Sequence, residues 1–242
     1  LTSATSPVTG MNEKICGFVL SEADYRENDV LLQVLSKDYG VLSLVGKASK
    51  KLSSRNHFLP MCLYEFLIDY REQKSIFTIH GSKLLENYFE SDDIEMISFK
   101  NILTELTLKN REIDTYDALH SVFRRLDRDN RYLLGSLYLS YLIRMFGITP
   151  VVDGCALCGK KQVVTCSKVH GGFLCADHRG TLEALPVERL KKIRLIIKGS
   201  FEHYEILKEF DYDFADFALL MDFFLENADL HSRSYDFYRT LI

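Results

Sequence analysis

The apolar residues of this 242-residue chain change their spacing near residue 90, and that change constrains the fold more than any other feature. Before it, short runs rich in Val, Leu, Ile and Phe fall at 15–21, 30–36, 41–46, 61–70 and 75–80, the pattern of β-strands. Lys37-Asp38-Tyr39-Gly40 supplies a tight turn between the second and third runs, and Arg71-Glu72-Gln73-Lys74 a polar turn between the last two. Five short strands with one longer gap predict a small closed barrel, either of the oligonucleotide/oligosaccharide-binding (OB) type or SH3-like.

After residue 90 the period is helical. Ser91-Asp92-Asp93 can cap a helix bearing Ile94, Ile97, Ile102 and Leu106. A second stripe comprises Ile113, Tyr116, Leu119, Val122, Phe123 and Leu126. A third, broader stripe from Leu133 to Phe146 suits a central helix, ended by Gly147 and Pro150. Pro186 opens a further helix with Leu190, Ile193 and Ile197, and 214–225 forms another. The expected class is therefore α+β, with a barrel at 11–87 and a helical domain at 88–150 and 182–242, interrupted by an insert at 151–181. Residues 1–10 are polar and turn-rich and are expected to be an expression scar ahead of Met11.

The insert carries the strongest local motif. Cys155-x-x-Cys158-Gly159 is followed by Cys175-x-x-His178, two ligand pairs at the spacing of a structural zinc site. A C-x-x-C turn presents two thiolates on one side of a tight knuckle, and two facing knuckles complete a tetrahedron. Four protein ligands leave no open position, so one ion would hold the fold together rather than activate water. Cys166 lies between the pairs and is the alternative fourth ligand to His178, while Cys16 and Cys62 read as apolar thiols in strands. The alternative reading of the cluster is a set of small core residues; a thioredoxin-like redox pair fails because no βαβ pattern surrounds it.

With 30 Lys+Arg against 34 Asp+Glu the net charge is −4, which at first argues against a nucleic-acid binder. The distribution reopens the question. No acidic residue falls between Asp38 and Glu65, a stretch that holds Lys47, Lys50, Lys51 and Arg55 among Ser and Asn, in the gap between the third and fourth strands. Such a loop can follow a phosphate backbone, with Tyr25, Tyr39 and Phe58 as either stacking rings or core rings, or it can be a solvated surface loop. The compensating acid lies at Glu202, Glu205, Glu209, Asp211, Asp213, Asp216, Asp222, Glu226 and Asp229, expected to solvate the outer faces of the last helices. Arg124, Arg125, Arg128, Arg131 and Arg144, beside the apolar stripe, can grip an acidic peptide with a hydrophobic tip or serve as helix-end charges.

Enzyme signatures are missing. No phosphate-binding Gly loop or nucleophile elbow occurs, and His203-Tyr204-Glu205 follows the C-x-x-C instead of preceding it as a zinc deaminase requires. The longest uncharged apolar stretch, 132–143, is too short to span a bilayer. A composition of 47% hydrophobic and 26% charged residues excludes a disordered scaffold. A non-enzymatic binding protein of the cytosol is expected, either a DNA-binding mediator or a zinc-containing interaction adaptor.

Several segments together resemble the RecO family of bacterial recombination mediators. They are Gly17-Phe18-Val19-Leu20, Asp24-Tyr25-Arg26-Glu27-Asn28-Asp29, Lys37-Asp38-Tyr39-Gly40 and Gly46-Lys47-Ala48-Ser49-Lys50 in the first region. Phe146-Gly147-Ile148-Thr149-Pro150 leading into Cys155, Gly171-Gly172-Phe173-Leu174-Cys175 and His231-Ser232-Arg233-Ser234 continue the likeness. The resemblance implies an OB barrel, a helical domain and a zinc-binding insert. It also implies binding of single- and double-stranded DNA and annealing of complementary strands. The implied partners are RecR, with which RecA is loaded, and the acidic tail of single-strand-binding protein, received here by the arginine group. Zinc-bearing members usually end on a second C-x-x-C, where this chain has His178.

Overall fold

The computed structural model describes residues 11–49, 57–89, 93–111 and 114–242. Its first element order is β1 (Met11–Tyr25), β2 (Asp29–Ser36), β3 (Gly40–Gly46), β4 (Cys62–Tyr70) and β5 (Ile76–Asn87). Side-chain alternation drives the closure. Val30, Leu32 and Val34 of β2 join Cys62, Tyr64, Phe66 and Ile68 of β4 in one buried cluster, every second residue of each strand facing the same interior. The strands close in the order β1-β2-β3-β5-β4. A parallel contact of β3 with β5, from Ser43–Ile76 to Val45–Thr78, completes an otherwise antiparallel ring. Strand spacing leaves OB and SH3-like barrels level, and this closing order makes the barrel OB-type.

Gly17 is required where β1 leaves β4 for β2, because a Cβ there would lie 2.4 Å from Val34 Cγ1 and 3.0 Å from the Leu35 carbonyl oxygen. The β2–β3 turn forms at the expected residues, with Gly40 at φ +65°. Two strands outrun the expectation, β1 at both ends and β5 through Asn87. The added part of β5 includes exposed Leu84 and Leu85, so it carries no burial alternation and is held by backbone pairing with β4.

Asp69 pins the β4–β5 turn by accepting from the Thr78 backbone N–H at 2.5 Å and the Lys74 ammonium at 2.8 Å. Burial pushes its carboxyl up, but Lys74 and the Thr78 N–H outweigh that and hold it below the usual carboxylate range. A depressed folded-state pKa stabilises the fold above the unfolded value of about 3.9 and stops doing so as pH falls through the folded value. Asp69→Asn should therefore cost about 1 kcal/mol in urea denaturation near neutral pH. The gap to the parent chain should narrow as pH falls below the unfolded value of about 3.9, as measured by the two urea midpoints. A gap independent of pH would refute the charge contribution.

The helices are α1 (Ile94–Lys109), α2 (Tyr116–Phe123) and α3 (Arg131–Met145) before the insert. Asp93 caps α1, its carboxylate accepting from the N–H groups of Glu95 and Met96, both at 3.1 Å. The buried face of α1 is Met96, Phe99, Ile102, Leu103 and Leu106, so the stripe is rotated from the expected one and Ile94 is exposed. In α3, residues 133–140, 142 and 143 are buried on every side, the central helix expected, and Gly147 ends it at φ +69°. Met145, placed in that stripe, is exposed at its last turn.

The insert holds a small hairpin, β6 (Thr165–Ser167) with β7 (Gly172–Leu174). There follow α4 (Val187–Lys198), a 3-10 turn (Phe201–His203), α5 (Tyr204–Leu207), α6 (Phe214–Asn227) and α7 (Arg233–Tyr238). The chain forms two compact units, one ending at Asp117 and one starting at Ala118. In the first, α1 packs on β1; in the second, α3 packs on α4 and α6.

The acidic stretch is not simply a solvated face. Asp216 is 1% exposed and pairs with Arg189 Nε at 2.9 Å and with the Lys192 ammonium. It also closes a reciprocal cap with Asp213 at the start of α6. The cations come from α4, so the pairing could not be read from the local run of acids.

Candidate metal centre and nucleic-acid interface

Hydrogen bonds within the insert build the first knuckle. The Gly159 N–H donates to the Cys155 carbonyl at 2.8 Å and the Cys155 N–H to the Lys160 carbonyl at 2.8 Å, with Gly159 at φ +74°. Strand β7 delivers the second knuckle, where the His178 N–H donates to the Cys175 carbonyl at 3.1 Å. The Ala156 N–H donates to Phe173 at 2.7 Å and ties the two together. Gly172 sits at φ +151°, and a Cβ there would lie 2.3 Å from the Val151 carbonyl oxygen. The family likeness runs through this glycine, and a Gly-Gly pair just before a ligand strand signals close backbone approach.

These turns bring together the four residues expected from spacing, Cys155, Cys158, Cys175 and His178, their donor atoms all within 4.8 Å of one another. His178 Nδ1 lies 3.5 Å from Cys155 Sγ and 3.4 Å from Cys175 Sγ, and Cys158 Sγ lies 3.8 Å from Cys175 Sγ. Four soft donors at the corners of a small tetrahedron can hold a metal ion. Cys166 lies on β6 outside the cluster, so His178 and not Cys166 is the fourth member. Burial pushes the Cys166 thiol up to about 12. Burial likewise works against the Cys155 thiolate, but N–H groups of Cys175, Leu157 and Cys158 and the His178 ring bring its pKa down to about 5. The shift favours the thiolate form that a metal requires.

The insert is fastened to the second unit by polar contacts. Arg194 Nε of α4 donates to the Val152 carbonyl at 2.7 Å, and its guanidinium lies 5.6 Å from the centre of the Phe173 ring. Lys198 pairs with Asp153 at 2.5 Å, and Asn227 of α6 donates to the Lys168 carbonyl at 3.0 Å.

On the barrel, Lys47 is exposed immediately after β3. The turn that presents it is held by the Ala48 N–H donating to Asp29 Oδ1 at 2.9 Å. Lys50, Lys51 and Arg55 lie outside the described residues. Of the candidate stacking rings, Phe58 is 4% exposed and belongs to the barrel core, packed on Tyr64 and Phe66, so it is not a platform. Tyr39 is half-buried, donates to Glu13 and packs on Tyr70 at 4.6 Å. Tyr25 is half-buried with the Arg26 guanidinium 5.3 Å from its ring centre.

The arginines divide by role. Arg124, Arg125 and Arg128 are exposed between α2 and α3. Arg131 is half-buried, donating to the hydroxyls of Tyr238 at 3.2 Å and Tyr132 at 3.1 Å. Arg144 donates to Ser140 at 2.8 Å and to the Gly199 and Ile197 carbonyls at 2.9 and 3.3 Å. It is therefore a cap on the end of α4 and not part of a peptide-binding group. Among the described residues no helix is long and apolar enough to cross a membrane.

Comparison with known proteins agrees with this architecture. The sequence profile described as "Recombination protein O N terminal" matches residues 11–88, and that described as "Recombination protein O C terminal" matches residues 91–210. A protein of Bacillus mycoides named DNA repair protein RecO is 25% identical over 181 residues, covering 69% of this chain and 71% of its own. Its namesake in an Exiguobacterium species is 24% identical over 194 residues, covering 76% and 77%. One from Bacillus cereus is 26% identical over 181 residues, covering 69% and 71%. With the two profiles spanning the OB-type barrel, the helices through α5 and the Cys/His cluster, the chain belongs to the recombination protein O family of DNA repair proteins.

Proposed function

We propose that this chain is a non-enzymatic mediator of homologous recombination. It binds single- and double-stranded DNA, anneals complementary strands and, with RecR, loads RecA onto DNA coated by single-strand-binding protein. The observation that carries the reading is an OB-type barrel whose β3 runs straight into an exposed Lys47 at the head of an acid-free basic loop. In this reading 11–87 is the DNA-binding domain, 88–150 and 182–242 the helical domain, and 151–181 the metal-bearing insert. The chain acts as a monomer in the bacterial cytoplasm, on the nucleoid.

Lys47, Lys50, Lys51 and Arg55 neutralise phosphates, and each contact releases counterions, so affinity falls steeply with salt. Two strands held on one cationic surface repel each other less, which favours annealing. Changing all four to Ala should lower the log–log salt slope for an oligonucleotide by about 3, at roughly 0.7 per contact. Fluorescence anisotropy across a salt series measures this, and an unchanged slope would remove the loop from the interface.

Arg124, Arg125 and Arg128 would receive the acidic tail of single-strand-binding protein, with Arg131 setting their frame through Tyr132 and Tyr238. Reversing the three exposed charges to Glu, with Arg131 retained, should weaken a labelled tail peptide at least about tenfold. Undiminished binding would place the tail elsewhere.

Zinc is the ion that suits the cluster. With Zn–S near 2.3 Å and Zn–N near 2.0–2.1 Å, a tetrahedron has S···S edges of about 3.8 Å and S···N edges of about 3.5 Å. The separations here are 3.8 Å for Cys158–Cys175 and 3.4 and 3.5 Å for the His178 pairs. Cys155, Cys158, Cys175 and His178 would hold it, and its contribution is structural.

A further inference from the structure

Of the clustered sulfurs, two are sealed and one faces water. Cys155 and Cys175 are 2% and 3% exposed, whereas Cys158 is exposed at the tip of its knuckle. Cys158 Sγ nevertheless lies 3.8 Å from Cys175 Sγ, across from one knuckle to the other. An oxidant reaching Cys158 therefore meets a sulfur with a second sulfur in contact behind it, the arrangement of an attacking and a resolving thiol.

We propose that Cys158 and Cys175 form a thiol-oxidation site at which hydrogen peroxide converts the two ligands to a disulfide and expels the metal ion. This rests on the reading of the cluster as a zinc centre. The Cys158 thiolate attacks one peroxide oxygen; the O–O bond breaks, giving a sulfenic acid and hydroxide. The Cys175 thiolate then attacks the sulfenic sulfur; the S–S bond forms and a second hydroxide leaves. Two thiolates are oxidised by two electrons, one peroxide is reduced, and charge balances at two negative charges on each side. The remaining donors, Cys155 and His178, are too few to keep a tetrahedral ion. The structural consequence falls on the insert, where Cys155, Leu174 and Cys175 form a small buried cluster with Ala156 and Val163 against it.

The chain's own cleavage sites make the test direct. Trypsin separates 145–160, carrying Cys155 and Cys158, from 162–168, carrying Cys166, and from 169–179, carrying Cys175. The full-length protein is first assayed for zinc, then exposed to hydrogen peroxide beside a zinc-responsive dye, alkylated and digested. The expected result is complete loss of zinc together with a cross-link of 145–160 to 169–179, assigned to Cys158 by fragmentation and reversed by dithiothreitol. Cys166→Ser should behave identically, which excludes the remaining thiol of the insert. Retention of zinc under peroxide overturns the proposal. So does its loss with sulfinic acids, with a Cys155–Cys158 pair, or with Cys166 in the cross-link. A chain that holds no zinc before the oxidant refutes the metal reading instead. In that metal-free chain, presence or absence of the same cross-link still decides the Cys158–Cys175 pairing.

Discussion

Replacing Asp216 by Ala is expected to lower the unfolding free energy of the second unit by about 3–5 kcal/mol, the cost of breaking a buried ion pair from one side. Its carboxylate is 1% exposed and serves three donors. These are Arg189 Nε at 2.9 Å, the Lys192 ammonium, and the Asp213 N–H at 3.1 Å. Removing it leaves Lys192 without an anion and Arg189 with only the exposed Asp213, their side chains 14% and 23% exposed, and opens the first turn of α6. Lys192 would keep the Asp211 carbonyl at 2.7 Å and Arg189 the exposed Asp213 at 2.8 Å, which is why the loss should not exceed this range. Asp213→Ala, which removes only the cap and a solvent-screened pair, should cost about 1 kcal/mol. Urea denaturation of the variants measures both, and an Asp216→Ala loss below 1 kcal/mol would show that the buried carboxylate is dispensable.

Cys175→Ser is expected to abolish metal retention and to unfold 151–181 locally while the barrel stays folded. Structural zinc sites are worth about 10–16 kcal/mol of apparent binding energy, against which the insert offers little of its own. Ordering about thirty residues costs on the order of 1.5 kcal/mol each, and the insert's few buried apolar side chains, Val152, Phe173 and Leu174 beside Cys155 and Cys175, cannot offset that alone. Lys160, Lys161, Lys168 and Arg179 lie within the segment, so limited trypsin digestion should cut there quickly in the variant or after chelation, and slowly in the parent. Cys166→Ser should leave protection unchanged. Equal resistance with and without a chelator would mean that contacts to α4 and α6, not the ion, hold the insert.

Both predictions concern charged or metal-binding groups, but they were unequally visible in the sequence. The two knuckles are local. Cys155 to Gly159 and Cys175 to His178 each close on hydrogen bonds between residues three to five apart, so spacing alone indicates the ligands. The β2–β3 turn at Gly40 and the end of α3 at Gly147 are legible for the same reason, since a positive φ belongs to one residue. The OB-type class followed from strand count and family likeness, but choosing it over an SH3-like barrel needed the β3–β5 pairing, between strands about thirty residues apart.

What the tertiary structure alone decided is where polar and aromatic groups end up. Phe58 lies in the barrel core and not on its surface, packed on Tyr64 and Phe66 of β4 in a cluster to which all five strands contribute. Arg144 resembled its neighbours in charge pattern, yet it caps the end of α4, whose carbonyls lie more than fifty residues away. Asp216 was one acid among nine until Arg189 and Lys192 arrived from another helix. The sequence by itself determined the elements and the metal ligands, because turn geometry and side-chain period depend on contiguous residues. The tertiary structure decided burial and ion pairing, because desolvation and Coulomb attraction depend on whatever folds alongside, at any separation along the chain.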